Sequence, residues 1–128
     1  MRPLILTKVI EYSFESGKSA DREKVSNLIV YLGVTLKAFK YSDLAYAFDS
    51  LIKKIYSYKL DYPNAKETIA KFIIRATADR VLPPRYVIEG EPFEHLSEDH
   101  SEIEIFEMAT AGLKSTDLEI KAAGIWSD

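Results

Sequence analysis

The two histidines, His95 and His100, lie five residues apart in the run EHLSEDHSE, with Glu94, Glu98, Asp99 and Glu102 around them. Imidazole nitrogens and carboxylate oxygens are the donors that hold zinc and related divalent ions. A spacing of five does not set two imidazoles on one helical face, where neighbours recur every three or four residues. The run reads as a solvated acidic loop, and no metal is expected. The same carboxylates lack an apolar surrounding that would separate them into an acid and a base. Cysteine is absent, which removes disulfides and thiolate chemistry and fits a reducing compartment. A glycine-rich phosphate loop, a Gly-x-Ser-x-Gly elbow and a His-Glu-x-x-His pair are missing as well. Nothing points to an enzyme, and no cofactor is expected.

Recognition chemistry is better represented. Five of the eight tyrosines fall within 41–62 (Tyr41, Tyr46, Tyr56, Tyr58 and Tyr62). Tyrosine offers rigid apolar area with a polar tip and is favoured at interfaces; packing between adjacent helices is the competing reading. Lys37, Lys40, Lys53, Lys54 and Lys59 surround these rings, against Asp43 and Asp49. That surplus could make weak contact with RNA phosphates, but it lacks the density of an RNA-binding patch.

The net charge of −3 conceals an asymmetry. Residues 1–88 hold 15 Lys and Arg against 9 Asp and Glu, a net of +6. Residues 89–107 hold eight acids and no Lys or Arg. A basic body followed by an acidic segment is either a clue to partner binding or a solvated stretch. With 128 residues, 47% of them hydrophobic, the chain is expected to form one domain with one core. No apolar run approaches the roughly 20 residues of a membrane span, and the N-terminal residues lack a signal-peptide cleavage pattern.

The elements that must position these groups are helical. Val25, Leu28, Ile29 and Leu32 form one apolar stripe over 21–33, with Ser19 as N-cap and Gly33 as the stop. Leu44, Ala47, Phe48, Leu51, Ile52 and Ile55 form another over 43–56, capped by Ser42. Residues 65–81 are apolar on several faces, as expected of a helix set between neighbours. Asn64 and Glu67 read as its capping box, and Arg75 and Asp79, one turn apart, can pair. Residues 4–15 carry a wide apolar face of Ile5, Leu6, Val9, Ile10, Tyr12 and Phe14. A weaker helix over 101–114 opens on a possible Ser101–Glu104 capping box and turns Ile103, Phe106, Ala109 and Leu113 inward. No stretch alternates with period two. The expectation is an all-α fold of stacked antiparallel helix hairpins, a compact α-solenoid of the HEAT/armadillo type, pairing 4–15 with 21–33 and 43–56 with 65–81. The core should span 3–88, an acidic loop 89–100, and a C-terminal helix with a tryptophan-bearing tail 101–128.

Three strings together resemble the MA-3 domain, an all-helical module of translation regulators. The most specific is LDYPNA, Leu60 to Ala65, leading into KFIIRATADRVLPP, Lys71 to Pro84. Leu60, Asp61, Pro63, Ala65, Phe72, Ile73, Arg75, Ala76, Asp79 and Leu82 match the family pattern at its spacing. The second string is SGKSADREKVSNLIVYLG, Ser16 to Gly33, and the third is the lone tryptophan in GIWSD. The pattern is most similar to the first domain of tandem MA-3 repressors and covers about the whole chain, residues 3–126.

What the resemblance implies is binding. MA-3 domains of this type bind eukaryotic initiation factor 4A, a DEAD-box RNA helicase, through its N-terminal domain, hindering closure around RNA and repressing translation initiation. The family's contact carboxylate falls on Asp61, with Leu60 and Pro63 beside it. Pro63 is expected to stiffen a short turn that presents Asp61 outward; ending one helix and favouring the next is the plainer role open to the same residue. A second acid usually stands four residues earlier, where this chain has Ser57. The turn 34–40 is longer than its counterparts, and 89–102 matches nothing in them. Proteins carrying the module in tandem have a second copy; a chain cut after Trp126 would lose the avidity of linked sites. A monomer in the cytoplasm, with nuclear presence allowed, is the corresponding expectation. The alternatives are a stimulatory scaffold of the initiation factor 4G type, an RNA-contacting module, and a purely structural helical repeat.

Overall fold

A computed structural model describes residues 3–83, 86, 101–114, 118, 122 and 124–126, with the side chains of 56, 59, 101 and 102 excepted. Six α-helices account for most of them: α1 (Pro3–Ser16), α2 (Ser19–Val30), α3 (Tyr41–Lys53), α4 (Ile55–Asp61), α5 (Ala65–Ala78) and α6 (Ser101–Leu113). No strand occurs among the described residues, and no helix there is long and apolar enough to cross a membrane. The all-α expectation is met. The acidic segment 89–100, with His95 and His100, lies outside the described residues.

Most helices bury a single stripe. On α1 it is Leu6, Ile10 and Phe14, one per turn, while Ile5 and Tyr12, expected inside, are exposed. α1 packs on both α2 and α3. On α3, Leu44, Ala47, Phe48, Leu51 and Ile52 are all fully buried, as their spacing predicts. α5 lies between neighbours and packs on α2, α3, α4 and α6, which is why it is apolar on several faces. Phe72, Ile69 and Ile73 are enclosed there, each contributing about 1.5–3 kcal/mol by leaving water. On α6 the inward stripe is Ile105 and Ala109, and Ile103 is exposed. Two residues turn a helix by about 200°, so burying Ile105 forces Ile103 outward. Beyond α5, the half-buried Tyr86 packs on Phe48 and Phe106 and donates a hydrogen bond to Asp49 Oδ1 at 2.7 Å. Burial and then that carboxylate push its phenol far above the ordinary range.

Several boundaries differ from the sequence reading. α2 takes Lys18 and α3 takes Lys40 as N-cap residues, one or two positions before the expected serines. At α3 the backbone N–H of Lys40 donates to Asp43 Oδ2 at 2.9 Å, so the aspartate closes the helix end from inside. Gly33 does not stop α2. The chain passes into a π-helical turn over Tyr31–Thr35, with Leu36 N–H donating to the Tyr31 carbonyl at 2.9 Å. Gly33 is needed for close approach, since a Cβ there would lie 2.7 Å from Phe39 Cζ. The helix expected over 43–56 breaks at Lys54 (φ −97°, ψ 10°) and resumes as α4. Asn64 holds the N-cap position of α5 without a side-chain bond, and Glu67 instead pairs with Lys71 at 3.3 Å.

α5 ends earlier than expected, in a Schellman turn: Val81 N–H donates to the Ala76 carbonyl and Arg80 N–H to that of Thr77, both at 3.1 Å. Arg80 therefore occupies the left-handed position, φ 65°, where glycine is the unstrained residue. Arg80→Gly should raise the unfolding free energy by about 0.5–1 kcal/mol in a urea titration. A decrease instead would mean that the arginine side chain contributes more than the turn's strain removes.

Candidate functional site

The strings that carry the resemblance divide by environment. Ala65, Phe72, Ile73, Arg75, Ala76 and Leu82 are buried, and Asp79 is partly buried; Leu60, Asp61 and Pro63 are exposed. The buried set builds a junction. Arg75, on α5, donates from Nη1 and Nη2 to the two carboxylate oxygens of Glu23 at 3.0 and 3.1 Å, from Nη2 to Asn27 Oδ1 at 3.2 Å and from Nε to Asp79 Oδ2 at 2.9 Å. The pairing with Asp79 is the one its one-turn spacing predicts. Burial disfavours the charged guanidinium, but the Glu23 hydrogen bond and the charge of Asp79 outweigh it, and its pKa moves up.

Beside this junction the tail docks between α2 and α5. Trp126 is 5% exposed, packs on Phe72 with ring centres 4.6 Å apart and planes tilted by 55°, and donates from Nε1 to Ser26 Oγ at 2.9 Å. The indole seat explains why α2 turns Val25, Ser26 and Ile29 inward and leaves Leu28 at the surface. Glu23, which also suits the first turns of α2, thus has a tertiary partner that helical spacing alone does not reveal. The clue was an arginine, Arg75, on a helix otherwise apolar on several faces.

The exposed set forms an edge. α4 turns Ile55 fully inward and rests Tyr58 and Tyr62 against Phe14 at 5.3 and 6.0 Å. The Tyr58 hydroxyl donates to Glu11, and burial together with that carboxylate raises its pKa well above the ordinary value. The opposite face of α4 therefore presents Ser57, Leu60 and Asp61 to solvent, with Leu60 74% exposed. Ser57 and Asp61 stand one turn apart and share that face. Asp61 is the last residue of α4, where the helix dipole does not favour an acid, rather than part of a free turn. Pro63 follows in the three-residue connection into α5, also exposed. All four residues proposed from the sequence are thus brought together on one edge. Among the described residues Asp61 has no hydrogen-bond or ion-pair partner.

The α1–α2 turn stands beside this edge, reversing through Gly17 at φ 64°. Between the two turns lies a cleft of about 220 Å³ lined by Phe14, Gly17, Arg22, Asp61, Pro63 and Asn64, among others. Sequence reasoning carried Arg22 only within the second string and gave it no role. Its guanidinium lies 5.8 Å from the Trp126 ring centre, and its Nε is enclosed with no acceptor.

The tyrosine–lysine surface is less coherent. Tyr41 and Tyr46 are exposed, whereas Tyr58 and Tyr62 are packed. Lys40 and Lys53 stand at opposite ends of α3, about 20 Å apart at helical rise. The side chains of Tyr56 and Lys59 lie outside the described residues, as do His95 and His100. Among the described residues no cluster of three or more metal-ligating side chains occurs.

Over 71 residues the chain is 35% identical to programmed cell death protein 4 of Gallus gallus. It is 34% identical over the same length to the proteins of that name from Homo sapiens and Mus musculus. The matched stretch is 56% of this chain and 15% of each relative, so the chain spans a small part of their length. No family model matches the chain. No solved structure matches it either.

Proposed function

We propose that this chain is an MA-3-type binding module that docks on the N-terminal domain of eukaryotic initiation factor 4A and represses translation initiation by hindering closure of the helicase around RNA. It acts as a protein-binding domain in the cytoplasm and performs no catalysis of its own. The observation that carries the reading is the α4 edge, where Asp61 is exposed and unpaired beside Leu60 and Pro63. A carboxylate held on a helix end over a packed base of Tyr58, Tyr62 and Phe14 is preorganised for a bidentate arginine, the charge-assisted geometry that gives both strength and orientation. Leu60 adds apolar area next to it, the usual composition of an anchoring contact. Similarity to programmed cell death protein 4 supports the family from which this partner is inferred. Ser57 in place of a second acid leaves Asp61 as the principal charged anchor on this face.

Isothermal calorimetry with the isolated N-terminal domain of the helicase tests the reading. Binding should weaken as salt rises. Asp61→Ala should weaken it by about 30-fold, the equivalent of roughly 2 kcal/mol for truncating a desolvated charge pair. Equal affinity for the variant would remove Asp61 from the interface. Added to a helicase assay, the domain should slow unwinding; acceleration would favour the stimulatory scaffold instead.

A further inference from the structure

We infer that the cleft between the α1–α2 and α4–α5 turns is a two-point docking site, in which Asp61 takes a cationic side chain of the partner and Arg22 takes a carboxylate carried beside it. The inference rests on the α4 edge being the docking face and specifies the chemistry of what docks there. Asp61 and Arg22 both line this cleft of about 220 Å³. Unlike charges in one cleft would be expected to pair, yet no ion pair joins them. Among the described residues neither side chain has a hydrogen-bond partner, and the enclosed Arg22 Nε has no acceptor. What holds Arg22 in place is packing: its guanidinium lies over the Trp126 ring at 5.8 Å, a cation–π contact that fixes the plane without consuming the N–H donors.

The pair of charges selects its occupant. A purely basic segment would satisfy Asp61 and be repelled by Arg22; a purely acidic one would meet the reverse. An apolar segment would desolvate both charges and satisfy neither, the least favourable outcome. A segment presenting an arginine or lysine next to an aspartate or glutamate satisfies both at once. The cleft therefore discriminates by arrangement of charge rather than by net charge, which is how an unpaired group on a surface excludes wrong partners. Within the basic body of this chain such discrimination keeps Asp61 from being a generic sink for cations.

Two measurements on the full chain separate this inference from the proposed function. In calorimetry with the helicase N-terminal domain, Arg22→Met should weaken binding at least 10-fold while the far-ultraviolet circular dichroism stays unchanged, and Arg22→Lys should recover part of the loss. Binding by Arg22→Met within two-fold of wild type, with Asp61→Ala still impaired, overturns the two-point site and leaves the proposed function standing. If Arg22→Met alters the circular dichroism, the lysine variant decides: wild-type affinity supports the charge requirement, and affinity equal to the methionine variant overturns it. Should the helicase domain fail to bind the wild-type chain, the proposed function falls and a second readout decides the inference. There the Arg22 Nε–H resonance, assigned by its loss in Arg22→Lys, is followed during titration with sodium acetate against sodium chloride at equal ionic strength. A saturable shift specific to acetate, stronger in Asp61→Asn because the repelling carboxylate is gone, supports the site. Equal responses to the two salts overturn it.

Discussion

Trp126→Ala is expected to lower the unfolding free energy by about 3–5 kcal/mol, the range for truncating a large buried aromatic. The indole is almost fully enclosed, rests on Phe72 and bonds Ser26. Removing it leaves a cavity between α2 and α5 and strands the contacts that orient Arg22. For a domain whose total stability falls in the ordinary range of about 5–15 kcal/mol, that loss is a large share, and a urea titration followed by circular dichroism measures it. Trp126→Phe should lose only about 1 kcal/mol more than repacking requires, because it keeps an aromatic ring on Phe72 and forfeits the Nε1–H bond. A small effect of the alanine variant would mean that the tail contributes little to the fold, and that the tryptophan shared with the resembled family acts elsewhere.

Arg75→Met is the second large effect, expected at about 2–3 kcal/mol in the same titration. The methionine fills much of the volume, so the loss is chiefly electrostatic: the carboxylates of Glu23 and Asp79 then face each other with no cation between them. Removing one partner of a fully buried pair costs about 3–5 kcal/mol. The Glu23 side chain is 38% exposed and that of Asp79 26%, so water screens part of the repulsion and the figure falls below that range. The triple variant Arg75→Met, Glu23→Gln, Asp79→Asn should regain most of the loss, since amides carry no net charge to repel. If it does not, the arginine acts mainly by tying α2 and α5 together through geometry that a thioether cannot reproduce.

The parts of the fold that local spacing governs were legible in the sequence. The Leu44–Phe48–Leu51 stripe of α3, the apolar α5 and the Arg75–Asp79 pair all depend on residues within two turns of one another. Cap positions and inward registers were read less well because they depend on what arrives from elsewhere. Leu28 gave way to Ser26 because an indole 100 residues away needs the small side chain. Ile103 turned outward because α5 meets Ile105. The break at Lys54 has no proline or glycine to announce it, yet it creates the separate helix on which Ser57, Leu60 and Asp61 share a face. Pattern matching located Asp61 but did not place it on a helix end, and it gave no role to Arg22, whose relevance arises only when two turns distant in sequence stand side by side.

The Ser26–Trp126 hydrogen bond joins residues made at very different times on the ribosome. Synthesis runs from the N-terminus, and helices with local contacts form as they emerge. α2 and α5 are therefore complete well before the indole exists, and the slot between them stays open and apolar on the nascent chain. Arg22 meanwhile lacks the ring that holds it, so the cleft beside Asp61 is only half built. The α4 edge is completed by residues translated late, and a nascent chain stalled before Trp126 would display Asp61 without the wall opposite it.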